Sequence, residues 1–381
     1  MDNHQFFAVC APGLEPVTAA ELSALKLISP DAASQITAGS GGVDFDGDER
    51  AMYLANYFLR SANRILMRFG QFHATKFVEL RRKVSNLPWK TVLKPGQKVQ
   101  IKVTCHASRL YHSGAVAQRT LEGIGDCTGF EPDLVKGEIT EENVFSILVR
   151  FVKDECTISL DTSGAGLDRR GYRLALGKAP LRETLAAGIL LASGWQPGQP
   201  LMDPFCGSGV IPIEAAMIAA HIAPGRNRHF PFMDWSDFKP KMMQTIIQYA
   251  EQDTRPPAAL LYGSDRDAGV VEMARQNAER AGVSRWIQFE HKPVSALTAP
   301  RFPGWIVTNP PYGVRVSSNA DLRNLYASFG KLLNEQFSGW GVAFLCTDDH
   351  LATLTHLNFD KGLSLNNGGI AVKLNRGHVP A

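Results

Sequence analysis

Leu201-Met202-Asp203-Pro204-Phe205-Cys206-Gly207-Ser208-Gly209, running directly into Val210–Ala220, is the stretch that decides the fold. Pro200–Asp203 reads as a short apolar strand, the glycine-rich middle as a tight corner, and the remainder as a helix. Glycine lets the backbone turn sharply and approach a ligand, and the helix start adds oriented N–H groups. Working outward, helix and strand signals keep alternating. Pro180–Ala192 is helix-like ahead of the corner. Leu260–Ser264, Trp286–Glu290, Trp305–Thr308, Trp340–Thr347 and Gly369–Leu374 read as strands beyond it, with a helix over Val270–Ala281. The first three strand segments and Ile306–Val307 are brief apolar runs, as expected for a parallel sheet covered on both faces. Arg226–Asp237, rich in aromatics and prolines, breaks the alternation and reads as an insertion rather than core.

The strand ends carry the chemistry. Asp203, Phe205, Gly207 and Gly209 form an acid-plus-glycine corner for a nucleotide-like ligand. The second strand ends in Tyr262-Gly263-Ser264-Asp265-Arg266-Asp267, where Asp265 is placed to accept both hydroxyls of a ribose and Asp267 to cap the next helix. A dinucleotide fingerprint would need a third glycine and a nearer acid. Here Pro212 takes that glycine's place, a departure that suits S-adenosylmethionine, which has no phosphate to seat. Cys206 lies in this loop, away from the last motif, and reads as packing rather than as a nucleophile. Glu214 on the following helix reads equally as a supporting group or as a solvated face.

The last motif, Asn309-Pro310-Pro311-Tyr312-Gly313, follows Trp305–Thr308. A proline turn explains Pro-Pro and Gly313 on its own. The alternative is a site for a flat exocyclic amine: the Asn309 amide oxygen and the Pro310 carbonyl accept its hydrogens, and Tyr312 stacks on its ring. Its order after Asp203–Gly209 and Asp265 favours methyl transfer to a nucleobase amine, which requires an extruded base.

The front of the chain is a different body. Strand-like Phe6–Cys10, helix-like Glu15–Leu27 and strand-like Gly41–Phe45 suggest an α+β module over residues 1–61. Residues 62–164 hold a helix at Lys76–Val84, a strand at Lys98–Thr104, a helix at Ser113–Gly125 and paired strands at Phe145–Phe151 and Cys156–Leu160. Gly164–Lys178 reads as a hinge into the third block, residues 165–381. The net charge of +3 conceals an asymmetry: Ser61–Thr120 carries twelve basic residues against the single acid Glu79, whereas Met1–Arg60 carries three against eight. Such a block fits a polyanion better than a small molecule. Arg81, Arg82, Lys83, Lys102, Arg109 and Arg119 are its candidate RNA contacts.

Six scattered cysteines without a CxxC pair point away from a zinc site or a disulfide framework and fit a reducing cytoplasm. No apolar run approaches the ~20 residues of a membrane span, and Met1–Gln5 lacks the basic start of a signal peptide.

At these residues the chain resembles the THUMP-containing RNA guanine-N2 methyltransferases, specifically the RlmL-like group that acts on 23S ribosomal RNA. Gly13-Leu14-Glu15 and Gly41-Gly42-Val43 resemble the family's ferredoxin-like segment, and the basic block its THUMP domain. Arg170-Gly171-Tyr172-Arg173, Ala179-Pro180-Leu181-Arg182-Glu183-Thr184, Asp203–Gly209 and Asn309–Gly313 resemble its catalytic motifs. The insertion, with Arg226-Asn227-Arg228 and Phe232-Met233-Asp234-Trp235, is also typical. The resemblance implies a Rossmann-like class I methyltransferase domain, with a seven-stranded, mostly parallel α/β sheet, preceded by α+β ferredoxin-like and THUMP modules. It further implies S-adenosylmethionine as cofactor, Glu183 on the cofactor side and N2 of guanine in 23S ribosomal RNA as acceptor. A transfer RNA guanine, adenine N6 of DNA and a non-catalytic RNA-binding role are the other readings. Relatives of the two-enzyme fusion carry a second methyltransferase domain, whereas this sequence ends at Ala381. The third strand ends in Glu290-His291-Lys292-Pro293, with Val294-Ser295 where an acid for the adenine amine is expected.

Overall fold

The computed structural model describes residues 3–27, 33–135, 137, 144–173, 181–312 and 319–381. Gly313, Ala179 and Pro180 of the quoted motifs, and the end of the expected hinge, lie outside them.

The first sheet contains β1 (His4–Cys10), β2 (Ser34–Gly39), β3 (Gly42–Gly47), β4 (Ala62–His73), β5 (Lys98–His106), β6 (Asp133–Leu134), β7 (Val144–Val152) and β8 (Glu155–Asp161). Their order is β2-β3-β1-β4-β8-β7-β5-β6. Pairing of β4 with β1 on one side and β8 on the other makes one sheet from segments on both sides of Ser61. The expected strand pair is the β7–β8 hairpin, with Phe151 opposite Cys156. Lys153 and Asp154 turn between them in the left-handed region, the conformation of a two-residue hairpin turn. Helices α1 (Glu15–Ala24), α2 (Glu49–Phe58), α3 (Phe77–Ser85) and α4 (Ser113–Thr128) cover one face. Leu22, Met52, Leu80, Val84 and Ile124 meet Phe6, Ile65, Ile147, Val149 and Ile158 in one apolar core. Every second residue of β5, from Val99 to Cys105, points into that layer, while Lys102, Thr104 and His106 point out.

The second sheet joins β9 (Leu201–Asp203), β10 (Leu261–Asp265), β11 (Ile287–His291), β12 (Trp305–Thr308), β13 (Gly341–Cys346), β14 (Leu363–Asn367) and β15 (Ile370–His378). Its order is β11-β10-β9-β12-β13-β15-β14. The neighbours from β11 to β13 are parallel, and β15 alone runs against the strands beside it. Helices α5 (Glu183–Ser193), α6 (Val210–Ala219), α7 (Pro240–Asp253), α8 (Ala268–Arg280), α9 (Asn319–Gln336) and α10 (Asp349–Thr353) complete this part. It is the mostly parallel Rossmann-like sheet that the sequence implied. β14, which the apolar pattern did not reveal, turns into β15 through Gly368 and Gly369, both at positive φ.

One expectation is corrected. Residues 226–237 do interrupt the α/β alternation, yet their aromatic rings are core. Phe230 and Phe232 are fully buried, and with Trp235 and Met243 of α7 they join the apolar core of the first sheet. Phe232 stacks on Tyr53 of α2, with ring centroids 4.6 Å apart. The second half thus lends an arm to the front half, and burying those rings fastens the two together.

Candidate active site

Parallel strands bring their carboxyl ends to one edge, and the site residues gather there. β9 ends at Asp203, and its neighbour β12 ends at Thr308, two residues beyond their last register pair. The Thr308 hydroxyl donates to Asp203 Oδ1 at 2.5 Å, and the Phe205 N–H donates to the same oxygen at 3.1 Å. Asp203 is 1% exposed. Burial pushes its carboxyl up to about 7, against the two hydrogen bonds, and the nearby Asp265 charge adds to the rise. A cationic ligand would relieve this.

Asp265 leaves β10 beside the corner. Its Oδ2 accepts from the Gly207 N–H at 3.1 Å and its Oδ1 from the Asp267 N–H at 3.0 Å. Each oxygen keeps a lone pair for a hydroxyl. Asp267 accepts from the Gly269 and Val270 N–H groups, so it caps α8 as expected. The two corner glycines differ in role. Gly207 lies at φ +51 with open space where a Cβ would stand. Gly209 lies at φ +84, and a Cβ there would stand 2.9 Å from that of Ala274. Gly207 therefore leaves room for a ligand, whereas Gly209 lets α6 pack against α8 and β11. The Cys206 thiol is buried and pushed far up by burial, then by the Asp203 and Asp265 charges. That state suits packing and not nucleophilic attack.

Asn309 follows Thr308 directly. Its amide oxygen is sealed from solvent and has no hydrogen-bond partner among the described residues. A buried acceptor without a donor costs free energy of order 1–3 kcal/mol, and an incoming amine would satisfy it. Tyr312 is only 3% exposed, packed in the apolar core of the catalytic half. Its hydroxyl accepts from Asn367 Nδ2 at 2.7 Å. Stacking on a base thus requires that this ring first be uncovered. Tyr326 donates to the Pro311 carbonyl at 3.4 Å, fixing the back of the Pro-Pro turn.

Glu183 stands in a buried charge network beside this edge. Arg173 donates to it at 2.9 Å, and burial, partly offset by Arg173, pushes its carboxyl up to about 7. Glu214 is fully buried, which settles its ambiguity against a solvated face. It accepts from Tyr172 Oη at 3.0 Å and Arg170 Nε at 3.4 Å. Arg280 ties the Tyr172 carbonyl to Asn277, which donates to the Ser208 carbonyl of the corner. Thr308, Asn367, Asn277 and Arg280 were missed in the sequence. Only Thr308 left a signal, a polar residue closing an apolar strand just before Asn309.

The candidate RNA contacts do not form one patch. Arg81 is held by Asp126 and Glu122, and Arg119 by Glu122. Lys83 donates to the His73 carbonyl, and Arg109 lies 3.8 Å from Asp154. Arg82 is exposed on α3, in the helical layer, while Lys102 lies on the opposite face of the sheet. Among the described residues no His, Cys, Asp and Glu cluster has a metal-binding arrangement, and no helix is long and apolar enough to cross a membrane.

Comparison with known proteins gives this edge a context. Residues 170–375, more than half of the chain, match the model of the RMKL-like methyltransferase domain, and residues 5–66 match the RlmL ferredoxin-like domain. The crystal structure of SMU.472 complexed with SAH superposes with a TM-score of 0.88 at 29% identity, covering 100% of this chain and 99% of that one. A protein from Listeria monocytogenes, described as a predicted N6-adenine-specific DNA methylase, gives 0.87 at 32% identity over 100% and 97%. TrmN from Thermus thermophilus shares the fold, with a TM-score of 0.73 at 20% identity over 99% of both chains.

Proposed function

The chain belongs to the RMKL-like methyltransferase family and uses S-adenosylmethionine; from that premise we propose that it methylates the exocyclic N2 of a guanine in 23S ribosomal RNA. The observation that carries an amine acceptor is the Asn309 amide oxygen, buried and without a donor beside the Asp203 corner. The resemblance to RlmL-like enzymes supports guanine N2, and the excess of base over acid in Ser61–Thr120 supports RNA. Residues 1–61, 62–164 and 165–381 would then serve as ferredoxin-like, THUMP and catalytic parts. Six free thiols fit the cytoplasm as its compartment.

The residues present fit the cofactor: a cramped anionic corner at Asp203, hydroxyl acceptors on Asp265 and open space beside Gly207. When bound, it supplies a methyl group already activated on a sulfonium. Asp203 and Asp265 hold the cofactor's cationic and ribose ends, with Phe205 and Gly209 shaping the corner and Glu183 supporting it through Arg173. Asn309 and the Pro310 carbonyl accept the amine hydrogens and draw the nitrogen lone pair out of ring conjugation, while Tyr312 holds the extruded base. The main gain comes from positioning. No strong base is needed, since the methylated amine sheds its proton to water. Asn309→Ala should abolish methyl incorporation into unmethylated ribosomal RNA while calorimetric S-adenosylmethionine binding survives. Turnover at the wild-type rate would refute the assignment.

A second reading takes adenine N6 of DNA as acceptor, after the name given to the Listeria relative. The same two acceptors serve either amine. Parallel assays on ribosomal RNA, transfer RNA and duplex DNA separate these substrates.

A further inference from the structure

The helices of the front half cover one face of its sheet, and the other face carries a cluster of like charge that no function has yet absorbed. Lys102 of β5 and Arg150 of β7 are exposed there. In register, Lys102 faces Leu148, Leu148 faces Ser159, and Ser159 faces Arg68 of β4. Arg64 stands four residues before Arg68 on the same strand, outward like it. Three strand spacings separate Lys102 from Arg68, about 14 Å. The acids here are few. Asp161, 1% exposed, pairs with Arg64, and Asp44 lies 3.6 Å from Arg68. Lys102 and Arg150 have no side-chain partner among the described residues. Burial and then the Arg64 charge push the Lys102 ammonium down; burial first, and repulsion from Arg150 beside it, lowers the Arg68 guanidinium against the pull of Asp44. Holding cations together in this way costs stability unless an anion joins them. An aromatic ring completes the surface: the Arg68 guanidinium lies 4.8 Å from the centroid of Phe7, which is half-buried on β1.

The start of β4, which carries Arg64, also borders the catalytic domain. Thr184, next to Glu183 at the start of α5, donates to Asn63 Oδ1 at 2.5 Å, one residue before Arg64. We infer that a single-stranded segment of the RNA substrate lies across this outer face, its phosphates on Lys102, Arg150, Arg68 and Arg64, and runs toward the catalytic domain. A basic sheet face bearing an aromatic ring is a general means of holding unpaired RNA. The inference rests on the RNA reading proposed above. It differs from the sequence expectation, which placed most of the contacts on Arg81–Lys83 and Arg119.

The test uses the full chain and an unmodified 23S ribosomal RNA transcript in filter binding, with KCl varied from about 50 to 200 mM. Losing two phosphate contacts from a single strand should flatten the log–log salt slope by about 1.4. Wild type should therefore lose about 7-fold more affinity than Lys102→Ala/Arg150→Ala across that range. Lys102→Arg should restore much of the loss, and calorimetric binding of S-adenosylmethionine should match wild type, which certifies the fold. An unchanged slope with intact wild-type binding overturns the sheet face alone. An equal loss in Arg82→Ala/Lys83→Ala, on the helical side, would reduce the effect to bulk charge and also overturn it. Equal competition by duplex DNA overturns the single-stranded occupant. A wild type that binds S-adenosylmethionine but no RNA removes the RNA reading itself.

Discussion

Replacing Thr308 with valine isolates the hydrogen bond that governs Asp203. The substitution keeps the shape of a fully buried side chain and removes the hydroxyl that donates to Asp203 Oδ1 at 2.5 Å. A hydrogen bond to a charged acceptor contributes about 1.5–3 kcal/mol, and at ~1.4 kcal/mol per unit its loss raises the carboxyl by about one to two units. Asp203 starts near 7 because burial outweighs its hydrogen bonds, so the variant should titrate near 8 to 9. At pH 7.5 the ionised fraction then falls from about three quarters to between about a quarter and ~3%.

The cofactor brings positive charge, so binding favours the carboxylate. The sign follows: affinity rises as pH rises through the pKa of the free protein and levels off above it. Isothermal titration of S-adenosylmethionine from pH 6 to 9 should place the break near 7 in wild type and one to two units higher in Thr308→Val. At pH 7.5 the variant should bind about 3- to 25-fold more weakly, and the gap should narrow as pH rises. Superimposable pH profiles would show that Asp203 does not titrate with cofactor binding, and the reasoning would fail.

The two corner glycines should respond oppositely. Gly209→Ala places a Cβ 2.9 Å from Ala274 at φ +84, so urea unfolding should show a loss of about 2–4 kcal/mol. Gly207→Ala, with open space at its Cβ, should cost only about 1 kcal/mol yet weaken cofactor binding measured by calorimetry. Phe232→Ala should destabilise by about 3–5 kcal/mol, because the ring is fully buried against Tyr53; a loss under about 1 kcal/mol would return the arm to the status of a surface insertion.

The parallel sheet was legible because strands buried on both faces must be short apolar runs, and the acids that matter sit where those runs stop. Asp203, Asp265 and Asn309 are strand-end residues, so a linear pattern finds them. Asn277 and Arg280 act through contacts between elements far apart in sequence, and nothing in their neighbourhoods marks them. β14 failed for a related reason. Leu363-Ser364-Leu365-Asn366-Asn367 has only two apolar positions, and its strand character comes from pairing with β15. The aromatic arm was misread because its proline-rich composition signals a loop, while burial of Phe230 and Phe232 is decided by a core built elsewhere in the chain.

Charge was the least legible property, since a run of basic residues carries no information about faces. Alternation along β5 did separate Lys102 from Val103, yet only the register across β7, β8 and β4 brings Arg150, Arg68 and Arg64 beside it. Arg81 and Arg119, on the helices instead, are each held by acids of α4. Glu122 and Asp126 lie one turn apart on α4 and both hold Arg81 of α3, and Glu122 also holds Arg119 on its own helix. Arg150 lies outside the basic block and was not among the expected contacts, although its exposure and its like-charged neighbours make it a stronger one. A polyanion site is thus better recognised by the face on which cations gather than by the number of cations in a stretch of sequence.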